Sequence, residues 1–454
     1  MKKMKSILAS ALALLTVGVC ASCGAGNGSS GGKVTLKIQY SNSANSEQVL
    51  ANNLKKAFVK KMADEGVTVE VRLASVTMGP GYNTSLMQGW QSGSLADVLF
   101  TQNDIVSRYA RNGVYEDLTD RYTAANFDFS AYDEKAFADA TVDEKLYFAP
   151  RTIDQPVIFL NKDLFTKYGV DVPTYGDDWT WTKLVSVMSD LREGIDETEP
   201  KALAEAIFPM DVSISWGAFY DAFVKSFGGY VYNAEDNSVG FTQTGTQKAF
   251  EKLQDMIEKK YIPANGGILF VNQKAAMYVA SRASVATLQA RKNTNVAFLP
   301  IPVYDDAFTG LTNGTSYYSY GATGWALNSK GKNKDIAWKF LQFVLSEEGQ
   351  EIMSSTGSVL PVIKSMQTAE TASWKTCFEF LKDVDQSAFV FSSDMESKYT
   401  RIPAAYARSS ASTKAEFESS VYTQVESSIN SLGSASNLAN FLQEAQSDLE
   451  ATVR

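Results

Sequence analysis

The sequence predicts an α/β protein of at least two domains, with a chain crossing between them beside a ligand cleft. Three observations lead there. The chain has 454 residues, too many for one ordinary core. Near its start, two alternating apolar stretches flank an amphipathic helical stretch, the pattern of a strand–helix–strand unit with parallel pairing. Further on, Leu146 to Leu164 holds two strand-like runs, one ending at Pro150 and one over Val157 to Leu160. The polar step between them (Arg151, Thr152, Asp154, Gln155) suits a hinge, and hinges flank clefts.

Composition narrows the function classes. Hydrophobic residues make up 44% and charged residues 20%, as in soluble globular proteins. Aromatics reach 12%, enough to stack flat ligands or sugar faces as well as fill cores. The net charge of −9 argues against nucleic acid and against electrostatic docking on anionic lipid. There is no histidine, which excludes Ser-His-Asp and Cys-His catalysis and the usual His-based metal sites. Neither a metal nor a cofactor is expected.

The first residues read as a secretory leader. Lys2, Lys3 and Lys5 precede an apolar run from Ile7 to Val19, too short for a good membrane span, and small residues Ala21 and Ser22 lead to Cys23. A Gly/Ser run follows to Gly32 and suits a flexible tether. Cys23 at this place resembles the lipidated cysteine of bacterial lipoproteins, although Cys20 stands where leucine is usual. The remaining cysteine, Cys377, is read as a small hydrophobe, so no internal disulfide is expected.

Taken in order, Val34 to Tyr40 alternates and reads as a strand. It ends in a polar turn, Ser41 to Ser46, whose Asn42 and Asn45 either donate to a ligand or cap the next helix. Leu50, Leu54, Phe58 and Met62 recur every four residues, and Gly66 closes that helix. Val67 to Leu73 alternates again. Tyr82 to Trp90 reads as a helix and Asp97 to Phe100 as a short buried strand, with Gln102, Asn103 and Asp104 beyond its end. Asn161-Lys162-Asp163 opens a short helix, and Trp179-Thr180-Trp181 starts another. Ser213 to Phe227 reads as a helix carrying Trp216. A hairpin turn follows at Asn233 to Asn237, whose acids are wrongly spaced for a calcium loop. Val296 to Ile301 and Tyr317 to Leu327 read as strands, the latter with close-packing glycines, and Lys334 to Val344 and the tail from Ala415 as helices.

These landmarks resemble a family when read in order. Gln91-Ser92-Gly93-Ser94-Leu95-Ala96-Asp97-Val98 looks like an SG-x-x-PDV segment, with Ala96 where proline is usual. Tyr115-Glu116-Asp117-Leu118-Thr119 looks like L-x-D-L-T. Tyr147 to Pro150, followed by Leu160-Asn161-Lys162-Asp163-Leu164-Phe165, looks like Y-x-x-P…Y-N-K-D-L-F. Gly228-Gly229, Ala276-Met277 and Ala337-Trp338-Lys339-Phe340-Leu341 fall in the same order. The mature chain thus resembles the extracellular solute-binding proteins of family 1, the maltose-binding-protein-like lipoproteins that serve ABC importers.

The resemblance implies a two-lobed, periplasmic-binding-protein-like fold of the class II type. Residues 1–22 would be the signal and 23–32 the tether. Residues 33–150 with 300–343 would form one lobe, and 151–299 with 344–454 the other. It implies a monomer, lipid-anchored at Cys23 outside the cytoplasm. That monomer would capture a carbohydrate, expected to be an oligosaccharide, by hinge closure and hand it to permease subunits. Strand-end positions then propose Tyr40, Asn42, Gln102, Asn103 and Asp104 from the first lobe as ligand contacts. Arg151 and Asp154 are proposed at the hinge, Trp216 and Tyr278 from the second lobe, and Tyr318 and Tyr320 from the returning strand. Carboxylates, amides and guanidinium match sugar hydroxyls, and aromatic rings match sugar faces. Trp90, Trp181, Trp325 and Trp338 sit in apolar periodicity and are expected in cores. Three other readings stay open: the same fold with a peptide, polyamine or metal-chelate ligand, a secreted glycoside hydrolase using carboxylates such as Asp97 and Asp154, and an adhesin-like surface module without a closing cleft.

Overall fold

In the computed structural model, residues 33–78, 80–234, 236–404 and 415–453 are described. The proposed leader, tether and Cys23 lie outside them. The strand–helix–strand unit is present. Strand Val34–Ser41 pairs in parallel with Val69–Val76, and helix Asn45–Asp64 crosses between them with Leu50, Leu54, Phe58 and Met62 buried. Those four positions share one helix face because four residues make about one turn.

Two sheets organise the chain. In the first, the order is Thr400–Pro403, Tyr317–Leu327, Val98–Gln102, Val34–Ser41 and Val69–Val76, and Phe148–Asp154 also pairs antiparallel with Tyr317–Leu327. In the second, the order is Val296–Pro300, Val157–Asn161, Ala275–Ala280 and Phe208–Asp211. Each sheet carries its own apolar core. Phe58, Phe100, Trp325 and Phe340 belong to the first, and Trp179, Trp181, Met210 and Phe223 to the second. Trp181 and Trp325 are fully buried, as their apolar neighbours in sequence suggested, and Trp90 and Trp338 also pack on the first core.

The chain passes from one sheet to the other between Asp154 and Val157. This is four residues later than the Pro150 boundary expected from sequence, because the ladder continues as far as the Gly321–Asp154 pair. The later boundary also moves. Helices Lys334–Leu345 and Glu347–Ser354 both pack on the first sheet, and Met353, Val359 and Val362 lie in its core rather than beyond a crossing at 344. The segment beyond them covers the outer face of the second sheet, where Trp374, Leu381 and Phe389 meet Phe159 and Phe298. Strand Thr400–Pro403 then returns to the first sheet, and helices Ala415–Asn430 and Leu438–Val453 end the chain on the second core.

The glycine pattern in Tyr317–Leu327 has a direct cause. At Gly324 an added Cβ would lie 2.0 Å from the Ala149 carbonyl oxygen, so only glycine lets the two strands approach. Gly324→Ala is expected to cost about 1–3 kcal/mol or more through overpacking. A lowered urea midpoint would show it, and a midpoint equal to the parent's would contradict this reading of the contact.

Candidate functional site

The carboxyl ends of the parallel strands in the first sheet face the second lobe across a cleft, the place where open α/β sheets leave room for ligands. Its cavity measures about 400 Å³. Ser41, Ser43 and Glu47 reach it from the first strand and the following helix start. Gln102, Asn103 and Asp104 reach it from the end of Val98–Gln102. Arg151, Asp154 and Gln155 line it at the crossing, and Trp216, Ser281 and Tyr422 from the second lobe. A further groove of about 490 Å³, with Val170, Pro173, Trp179 and Lys183 in its walls, shares no lining residue with the cleft and receives no group from the first lobe.

The floor of the cleft is an ion pair. Arg151 donates from Nη1 and Nη2 to the two Glu47 carboxylate oxygens at 2.6 and 3.0 Å, and from Nε to Thr323 Oγ1 at 2.9 Å. Its guanidinium lies 5.1 Å from the Phe100 ring centroid and 5.7 Å from that of Trp325. Glu47 sits in the first turn of its helix, where the helix dipole favours a negative charge. Each terminal nitrogen of Arg151 keeps a second N–H, so the residue both braces the floor and retains donors.

Asp154 marks the crossing. Its Oδ1 accepts from the backbone N–H groups of Gln155 and Arg282 at 3.0 and 3.1 Å. Burial raises its carboxyl above the ordinary range, with those hydrogen bonds opposing. The Arg282 side chain runs the other way, fully buried, donating to Gln386 Oε1 at 2.8 Å and to the Trp374 carbonyl. It thereby ties the 364–391 segment to the loop that carries Ser281.

A side chamber of about 350 Å³ opens off the cleft within the second lobe, sharing Trp216, Ser281 and Tyr422 with it. Trp216 precedes helix Gly217–Ser226 and is half-buried against the second core. Tyr278 forms another wall. Its hydroxyl donates to the Gly267 carbonyl at 3.2 Å and its ring stacks on Phe270. That loop is pinned by Asp211, fully buried, which accepts from the N–H groups of Gly267, Leu269 and Phe270 at 2.6, 2.7 and 3.1 Å.

Residues 53–379 match the family model described as bacterial extracellular solute-binding protein, about seven tenths of the chain. The chain belongs to this family. Members are binding proteins that work outside the cytoplasm. Among relatives, the chain is 23% identical to the galactooligosaccharide-binding protein of Bacillus subtilis over 61% of its own length and 62% of that protein's. It is 24% identical to the multiple sugar-binding protein of Streptococcus mutans over 77% and 81%. The chain thus spans only about six tenths of the first of these relatives. Among solved structures it is similar to an ABC substrate-binding protein from Listeria monocytogenes in complex with cycloalternan. The TM-score is 0.69 at 19% identity, covering 93% of this chain and 99% of that one, which establishes the two-lobed fold.

This solute-binding protein brings together Gln102, Asn103, Asp104, Arg151, Asp154 and Trp216 at the cleft and Tyr278 in the chamber. Four other sequence candidates are not cleft-lining. Tyr40 and Asn42 give way to Ser41 and Ser43, because successive strand residues face opposite ways. Asn42 is exposed, and the cap position of the next helix is Ala44, so neither Asn42 nor Asn45 caps it. Tyr318 is buried as a strut across the crossing, its hydroxyl donating to the Pro156 carbonyl and accepting from Ile301 N–H. Tyr320 lies in the first core under the Arg401 guanidinium. The strand presents Gly321 and Thr323 to the cleft, so the odd-numbered set lines it and the even-numbered set does not.

The carboxylate pair considered for hydrolysis is also separated. Asp97 precedes strand Val98–Gln102 and accepts from Lys37 N–H, while Asp154 lies beyond the strand's other end. Five residues of strand put them roughly 15 Å apart, beyond the reach of paired acid chemistry.

The raised Asp154 carboxyl has a consequence for stability. A group whose folded pKa exceeds its unfolded one contributes stability at acid pH that is lost as pH rises through the folded value. The melting temperature of the parent minus that of Asp154→Asn should therefore increase as pH is lowered from 7 towards 4. A constant difference across that range would contradict it.

Proposed function

We propose that this solute-binding protein captures an oligosaccharide in the inter-lobe cleft and delivers it to the permease subunits of an ABC importer. The observation that carries the reading is the composition of the cleft. Amide, hydroxyl and carboxylate groups of the first lobe (Gln102, Asn103, Asp104, Ser41) face an indole and a phenol of the second (Trp216, Tyr422). Hydroxyl-rich ligands use the former and their C–H faces the latter. The sugar-binding relatives support the same substrate class. Contacts drawn from both lobes at once favour the closed state, which the permease would read. In this reading the protein is a monomer held at the membrane by a lipid on Cys23, has no cofactor, and performs no chemistry on its ligand.

A thermal-shift panel of mono- and oligosaccharides, amino acids, peptides and polyamines tests it. A ligand at about one hundred times its dissociation constant should add roughly 2.7 kcal/mol to stability. A shift confined to carbohydrates is expected. Shifts with peptides or polyamines alone would overturn the carbohydrate assignment and leave the fold in place.

A further inference from the structure

We infer that the side chamber receives a positively charged ammonium group carried on the ligand; this rests on the proposal that the cleft beside it is the ligand site. The chamber has three aromatic walls, Trp216, Tyr278 and Tyr422, and one carboxylate, Glu426, one helical turn beyond Tyr422. Ser213, Ser215, Ser281 and Ser284 add hydroxyls, and no lysine or arginine stands among its described lining residues. Glu426 is half-buried and makes no ion pair among the described residues. Aromatic faces attract cations, and the attraction strengthens where water is displaced. A nearby carboxylate stabilises an ammonium and repels an anion. The chamber is contiguous with the cleft through Trp216 and Tyr422, so a ligand lying in the cleft can place one substituent there. The rings suit a sugar face or a cation alike; the carboxylate of Glu426, with no lysine or arginine beside it in the lining, is what favours the cation. An amino sugar and a quaternary ammonium share that chemistry, and a uronate is its opposite.

The test is calorimetric titration of the full chain at pH 7 with trisaccharides of glucose, glucosamine, N-acetylglucosamine and glucuronate in matched linkage, and with choline. The glucosamine trisaccharide is expected to bind at least tenfold more tightly than the glucose one. N-acetylation, which removes the charge, should abolish that advantage, and the glucuronate form should bind most weakly. In Glu426→Gln the ratio of glucosamine to glucose affinity should fall to near one. Equal affinities in the parent, or an unchanged ratio in the variant, would overturn the inference while leaving the carbohydrate reading in place. Binding of choline without any trisaccharide would support the chamber assignment and overturn the carbohydrate reading. Binding of none of the probes would overturn both.

Discussion

Replacing Glu47 by alanine is expected to destabilise the protein by roughly 3–5 kcal/mol, because it strands a buried guanidinium. Arg151 and Glu47 keep only 8% and 7% of their side-chain surface exposed, and the cation sits over the Phe100 and Trp325 rings. The urea midpoint should drop with little change in slope, the sign of lost stability without a change in the surface exposed. The double substitution Glu47→Met with Arg151→Leu should recover much of the loss, since apolar replacement of a whole buried pair is often neutral. It should not recover ligand affinity, because the floor of the cleft would lose its remaining donors. A Glu47→Ala midpoint equal to the parent's would mean that the pair is solvated and not the brace described above.

Replacing Trp216 by alanine should weaken ligand binding by about 2 kcal/mol or more, roughly thirtyfold, as expected for an aromatic anchor. Trp216 borders both the cleft and the chamber, and its indole is shared between the second core and open space. Its loss should therefore lower stability less than affinity. Trp181 is the control. Fully buried and stacked on Phe308 at 5.2 Å, it should when truncated cost about 3–5 kcal/mol of stability, with affinity following only as the fold is lost. Unchanged affinity in a folded Trp216→Ala protein would remove the indole from the site.

Much of the architecture was legible because it rests on local periodicity. Leu50, Leu54, Phe58 and Met62 announce their helix, and Asn161 caps the next element by accepting from Asp163 and Leu164 N–H groups, as its place before Lys162 suggests. Strand ends also pointed towards the cleft at Gln102 to Asp104. What failed was parity and long-range packing. Tyr318 and Tyr320 are aromatic and near the hinge, but which face of a strand meets the cleft depends on a sheet that the sequence does not display. The boundary at 344 failed because two successive amphipathic helices read alike whether they share a core or part from one. Tyr422 and Glu426 were invisible for a similar reason. They lie on a helix near the end of the sequence, about two hundred residues after Trp216, and only folding returns it to that indole. Glu47 carried no signal beyond that of a helix-start acid.

The most direct measurement is the distance between spin labels placed across the cleft, at Val49→Cys on the first lobe and Ile268→Cys on the second, with Cys20, Cys23 and Cys377 all replaced by alanine. Both positions are well exposed, at 53% and 68%. Saturation with the carbohydrate identified by thermal shift is expected to shorten and narrow the distance distribution, and Trp216→Ala should return it to that of the free protein at the same ligand concentration. A distribution that stays unchanged while ligand binds with full occupancy would contradict capture by closure of the two lobes.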